Sequence, residues 1–130
     1  EASGNISAVA KLASLAEGCI DIYSGNDDQV LPILSLGGKG VISVWSHVAP
    51  KKVHDMVMAF LNGDIATAQK LQLEAIDVIG ALFSEVTPIP VKAAMNMLGF
   101  NAGPVRAPLT ELSDKNKEVL KKSLKEYGVL

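Results

Sequence analysis

The chain has 130 residues, 48% of them hydrophobic and 20% charged, a globular composition with length for one domain rather than two. Its net charge of −2 comes from 12 basic and 14 acidic residues mixed along the sequence, and aromatics reach only 5%; a nucleic-acid partner needs concentrated Lys/Arg with stacking aromatics, so that class is set aside. No apolar run approaches the roughly 20 residues of a membrane span, and no signal-peptide pattern opens the chain.

The chain opens on Glu1-Ala2-Ser3-Gly4-Asn5 without a methionine, which reads as the interior of a longer protein. Apolar residues at Ile6, Val9, Ala10, Ala13 and Ala16 have the spacing of an amphipathic helix, with Leu12 and Leu15 widening its face. Asn5 or Ser3 is placed to cap it and Gly18 to end it. Cys19 to Tyr23 reads as a short strand. Cys19, the single cysteine, suits a reducing compartment and reads as a buried small hydrophobe.

Asp27 or Asp28 is placed to cap a short helix with Pro32 in its first turn and with Val30, Ile33, Leu34 and Leu36 as its apolar surface. Gly37-Gly38 stops that helix. Val41 to Trp45 reads as a second strand, so Ile22 to Pro50 forms a strand–helix–strand unit of a parallel sheet. Pro50 starts a helix carrying Val53, Met56, Val57, Phe60 and Leu61. Asp64 caps a long helix expected to run to about Val86. Thr87-Pro88-Ile89-Pro90 is expected to be extended, followed by a helix from Val91 to Leu98. Phe100 to Leu112 reads as irregular. Ser113 caps a last helix to about Tyr127, whose late lysines suit its negative dipole end. Two strands against six helices leave a parallel pair with open edges and an uncovered face, so strands are missing or come from a partner chain.

Few residues carry chemistry. Gly37-Gly38-Lys39-Gly40 runs from helix into strand, the reverse of a phosphate cradle, and reads as a helix stop. Asp27 and Asp28 suit either acid–base or metal work, or a helix start. His47 and His54 have no third ligand nearby, so no metal site is expected. His47 does lie just past a strand end, where α/β barrels place chemistry. Ser24 and Ser43 lack a His/Asp partner. Lysines 121 to 125 read as a solvated face. Gly25 is the better candidate, because it follows a strand directly and lets a ligand approach backbone without meeting a Cβ. Ligand crevices in α/β folds lie at C-terminal strand ends, within reach of Gly25 and the segment Ile42 to Val44.

Four runs carry a resemblance: Glu1-Ala2-Ser3-Gly4-Asn5, Tyr23-Ser24-Gly25-Asn26-Asp27, Leu36-Gly37-Gly38-Lys39-Gly40-Val41-Ile42-Ser43-Val44 and Pro88-Ile89-Pro90-Val91-Lys92. In order and in register, they resemble the dihydrodipicolinate synthase family more closely than the related N-acetylneuraminate lyases. The resemblance implies an α/β fold: the C-terminal part of a (β/α)8 TIM barrel, strands seven and eight, in a chain that is itself mostly α. Residues 1–62 would be the partial barrel and 63–130 the C-terminal helical extension. The implied activity is a Schiff-base lyase condensing pyruvate with aspartate semialdehyde in lysine biosynthesis, without a cofactor and in the cytoplasm.

The family's Schiff-base lysine stands immediately before the Glu-Ala-Ser-Gly-Asn motif, so the resemblance puts no catalytic residue in this chain, which alone is expected to be inactive. The tyrosine relay, threonine pair, semialdehyde-binding arginine and lysine-feedback site belong to the earlier half. Gly25 and Ile42 resemble positions lining the pyruvate pocket. A homo-oligomer, or complementation by the missing N-terminal half, is implied as partner. The region of Ile6 and Leu36 corresponds to a subunit contact. A non-catalytic, self-associating half-barrel or helical scaffold is the alternative. Trp45, His47 and Thr87 depart from the family pattern, which has a small residue and asparagines there; a Trp is expected to crowd an intact barrel unless its neighbours have changed with it.

Overall fold

The computed structural model describes residues 1–130. In order, the chain forms α1 (Ile6–Ala16), β1 (Tyr23–Ser24), α2 (Val30–Ser35), β2 (Gly40–Val41), α3 (Pro50–Leu61), α4 (Ile65–Glu74), α5 (Ile76–Leu82), α6 (Ile89–Met97) and α7 (Asp114–Glu126). Short 3₁₀ turns at Asp27–Gln29 and Trp45–His47 precede α2 and α3. β1 and β2 pair in parallel, Tyr23 with Gly40 and Ser24 with Val41. No helix is long and apolar enough to cross a membrane. The chain divides into two compact units: Glu1–Ser43 with Lys51–Leu73, and Val44–Pro50 with Glu74–Leu130.

In the first unit, Asn5 caps α1 by accepting from the Ala8 N–H at 3.1 Å. The helix ends at Ala16 and the chain reverses one residue before the expected glycine. Glu17 already takes the left-handed conformation at φ 47°, and Gly18 follows at 79°. Cys19 is exposed, which corrects the expected buried position. The strand starts only at Tyr23, so Cys19, Ile20 and Asp21 lie in an open connection. Val9, Ile22 and Ile33 form a small buried cluster, with Ile6, Ala13 and Leu36 packed against it. Gly37 at φ 91° and Gly38 close α2, the Gly38 N–H reaching the Ile33 carbonyl at 2.9 Å. A Cβ on Gly38 would lie 2.7 Å from both Ile33 Cγ2 and that carbonyl oxygen, so close packing as well as chain reversal requires the glycine.

Buried Gln72 of α4 holds the start of α2. Its amide donates to the Asp27 carbonyl at 2.9 Å, and its oxygen accepts from the Leu31 N–H at 3.2 Å. Asp64 caps α4, accepting from the Thr67 N–H at 3.1 Å. The single long helix expected from Asp64 to Val86 is two helices. Ala75, at φ −92° and ψ −10°, stands between α4 and α5, and its carbonyl accepts the first hydrogen bond of α5, from the Ile79 N–H at 2.9 Å.

The second unit is helical. α7 lies against α5 and α6 and buries Leu120 and Leu124, facing Val78, Ile79, Ala81 and Leu82 of α5 and Ile89, Val91 and Ala94 of α6 as the unit's apolar residues. Pro90 sits inside the first turn of α6 rather than in an extended segment, because its missing N–H falls where the helix has no acceptor for one. The expected strand Val41 to Trp45 stops at Val41. Trp45 instead opens a 3₁₀ turn and is fully buried, packing with Val48 and Ala49 in this unit's core. Its ring meets Tyr127 edge-on at 6.3 Å and 62°. Burial pushes the Tyr127 hydroxyl up to about 12. Trp45 is thus packed against the C-terminal end of α7.

Ser113 precedes α7 but does not cap it with its own side chain. Its N–H and hydroxyl both donate to Glu85 Oε1, at 3.1 and 2.6 Å, and Asn116 Nδ2 donates to the same oxygen at 2.8 Å. These bonds hold the Glu85 carboxyl below its ordinary range, hydrogen bonding from Ser113 first and Asn116 second.

Candidate functional site at the strand ends

The candidate site lies where β1 and β2 end. The parallel register puts Gly25 and Ile42, the residues just past each paired segment, at the same end of the pair. The Ile42 N–H donates to the Ser24 carbonyl at 2.8 Å, while the Lys39 N–H reaches Ile22 at the other end, also at 2.8 Å. Ile42 is 74% exposed, so its apolar side chain is uncovered by anything in this chain. Gly25 is half-buried.

A third segment runs beside β1. The Glu1 nitrogen donates to the Tyr23 carbonyl at 2.8 Å, and the Glu1 carbonyl accepts from the Gly25 N–H at 2.5 Å. One residue bonding to two residues spaced in this way is the parallel-ladder pattern, with Glu1 opposite Ser24. The order across the ladder is therefore Glu1, β1, β2. This also explains Gly25: a Cβ there would sit 2.7 Å from Ala2 Cβ and 3.0 Å from the Glu1 carbonyl oxygen. The glycine is needed for the close approach of Glu1-Ala2, a neighbour the sequence alone did not suggest. Likewise Gly40 carries the ring of Tyr23, whose edge would lie 3.3 Å from a Cβ.

The polar residues nearby are structural. Ser24 is buried; its hydroxyl donates to the Asn26 carbonyl at 2.8 Å and accepts from the Asn26 N–H at 3.1 Å, which builds the turn after β1. Asp27 is buried in the 3₁₀ turn and Asp28 is exposed beside it. Glu1 Oε1 accepts from the Ser3 N–H at 2.6 Å, and this hydrogen bonding holds the carboxyl below its usual range. His47 is exposed with Nδ1 3.0 Å from the Val44 carbonyl, and His54 is exposed on α3 beside Asp55. No group of three or more His, Cys, Asp or Glu side chains is placed to hold a metal ion.

With this geometry in view, comparison with known proteins decides the family. The profile of the Dihydrodipicolinate synthetase family matches residues 1–127. The chain belongs to that family. It is 59% identical over 129 residues to the 4-hydroxy-tetrahydrodipicolinate synthase of Caldicellulosiruptor bescii, covering 99% of this chain and 43% of that relative. The corresponding synthase of Thermoanaerobacter sp. strain X514 is 57% identical, over 100% of this chain and 44% of its own length. Among solved structures, dihydrodipicolinate synthase from Thermotoga maritima superposes with a TM-score of 0.96 at 38% identity, over 100% of this chain and 45% of that one. The synthase from Cyanidioschyzon merolae, solved with lysine bound, gives 0.94 at 37% identity, covering 100% and 44%. The chain therefore spans less than half the length of the curated relatives it matches. As a dihydrodipicolinate synthetase family member it is a mostly helical segment with two parallel strands that matches part of the synthase barrel.

Proposed function

We propose that this chain supplies strands seven and eight and the C-terminal helical extension of a (β/α)8 synthase. That synthase is a cytoplasmic lyase of lysine biosynthesis that condenses pyruvate with aspartate semialdehyde through a Schiff base. The observation that carries this reading is the three-segment parallel ladder. It aligns the start of the chain with Ser24 and Val41, and turns Gly25 and Ile42 toward one end. That end is where barrels of this kind hold substrate. In this reading the Schiff-base lysine precedes Glu1 and is fixed in place by the same ladder. Ile42 supplies an apolar wall of the pyruvate pocket. Gly25 contributes by letting the segment that follows the lysine approach β1.

A Schiff base forms when an amine adds to the pyruvate carbonyl and water leaves; loss of a proton from the pyruvyl methyl group turns it into an enamine, whose carbon then attacks the aldehyde. The residues of this chain hold and wall that chemistry without supplying its nucleophile. Incubation of the 130-residue chain with pyruvate and borohydride should therefore leave its mass unchanged. The chain extended upstream through the family's lysine-containing strand, and joined by the earlier half, should gain one reduced pyruvyl adduct. An adduct on the 130-residue chain overturns the assignment.

A second reading is favoured by the uncovered apolar side chains of the first unit: Leu15 at 69% exposed, Ile20 at 55% and Ile42 at 74%. In it the chain acts as a non-catalytic, self-associating module. An extended and complemented chain that folds but never traps pyruvate would select this reading over the first.

A further inference from the structure

We propose that a cleft in the second unit, remote in sequence from Gly25 and Ile42, is a binding site for a small amphiphilic monocarboxylate. The cleft has a volume of about 350 Å³ and opens between α6, the loop 103–105 and the segment 111–117. Small-molecule pockets run from about 300 to 1,000 Å³ and are apolar with a few placed polar groups. This cleft fits the lower end of that range.

Its body is apolar, with Ala93 and Met97 from α6 facing Leu112. Its loop wall is fixed by Asn96, whose oxygen accepts from the Ala102 N–H at 2.9 Å and whose amide donates to the Gly103 carbonyl at 3.3 Å. Both ends of that side chain are engaged, so it holds the wall in shape and the cleft is preformed. A preformed cleft binds without the cost of ordering its own loop.

The rim charges are two of each sign, Lys92 and Lys117 with Glu111 and Asp114, but they are unevenly paired. Lys117 lies 3.5 Å from Glu111 Oε2 and 3.4 Å from Asp114 Oδ1, so carboxylates of this chain already occupy that ammonium. Lys92, half-buried on the same cleft, forms no ion pair. Lys92, the rim cation without a carboxylate on it, lies beside an apolar hollow and suits a ligand with an apolar body and a single negative end. A longer polyanion would meet Glu111, and a cation would meet Lys92. None of this depends on the synthase reading, since no residue of the cleft belongs to the strand ends.

The test is titration of the ¹⁵N-labelled 130-residue chain with sodium octanoate below its micellar concentration, and separately with octylammonium chloride. Octanoate should give saturable shifts centred on the amides of Lys92, Ala93, Asn96, Gly103 and Leu112, and octylammonium should not. Lys92→Gln should weaken octanoate about threefold to fivefold, the scale of one solvent-screened ion pair. Ala93→Trp should abolish binding by filling the hollow. Should that variant fail to fold by far-UV circular dichroism, Lys92→Glu replaces it and should eliminate the preference for octanoate over octylammonium. Three results overturn the proposal: no saturable shifts with octanoate, saturable shifts centred elsewhere, or equal binding of the two amphiphiles.

Discussion

At the residue scale, two glycines show how one substitution can have two different costs. A Cβ on Gly38 meets Ile33, whose side chain belongs to the buried cluster and whose carbonyl belongs to α2, so the methyl must displace packed structure. A Cβ on Gly25 meets only Ala2 and the Glu1 carbonyl, at the end of a segment held to β1 by two backbone hydrogen bonds. Gly38→Ala should therefore lower unfolding free energy by about 1–3 kcal/mol, the range for overpacking a fitted site. Gly25→Ala should instead release the Glu1 pairing. Its signature is loss of hydrogen-exchange protection at the residue-25 amide, with a urea midpoint close to that of the parent. Equal midpoint losses for the two variants would show that the Glu1 segment is integral to the first unit rather than laid along it.

At the scale of elements, the start of α7 depends on a residue far away in sequence. Glu85 Oε1 takes three hydrogen bonds from Ser113 and Asn116 and its carboxyl is held low in consequence. A carboxylate with a lowered folded pKa contributes stability that is complete above its unfolded value and is lost as pH falls through the folded one. Glu85→Gln should therefore reduce the urea midpoint at neutral pH. The gap from the parent should close as pH drops below the ordinary glutamate range. A gap constant down to strongly acid pH would mean that the carboxylate charge plays no part.

The same contact marks what sequence reasoning could reach. The limits of α1 and α3 are legible because a 3.6-residue apolar stripe and local start and stop residues are written within each segment. Asn5 and Asp64 cap as their positions imply. Ser113 is recruited by Glu85, 28 positions earlier, and no local pattern carries that. The strands were harder. Only two residues of each pair, and the apolar run from Val41 to Trp45 looks like a strand although its last part coils away to bury Trp45. At the candidate site, the placement of Gly25 just past a strand follows from the alternation of strand and helix, whereas Ile42, expected inside the strand Val41 to Trp45, lies just past β2. The neighbour that makes Gly25 necessary does not follow from that alternation, because backbone pairing by Glu1 leaves no side-chain signature. Gln72 was hidden for a related reason: a polar residue on the buried face of α4 reads as an interruption until its two backbone partners are known.

At the scale of the molecule, the open question is what covers the sheet. Two two-residue strands and the Glu1 segment make a ladder far too small to stand as a barrel wall. Beyond them, Leu15, Ile20 and Ile42 present apolar side chains to solvent. Exposed apolar side chains of this size beside strand ends favour association, since covering them releases water and a second copy or the remainder of a barrel can supply the missing partner. The 130-residue chain should therefore sediment as a concentration-dependent oligomer. Ile42→Lys should shift it toward monomer without loss of helical circular dichroism, because Ile42 contributes its backbone N–H, and little buried side chain, to the fold. Adding the earlier half of a synthase barrel should compete with self-association if the same surface serves both. The complex formed should then have the mass of one copy of each chain. A chain that stays monomeric across the whole concentration range and ignores the added half would place its stability wholly in its two small cores, and Ile42 would have to be explained by something other than a covering partner.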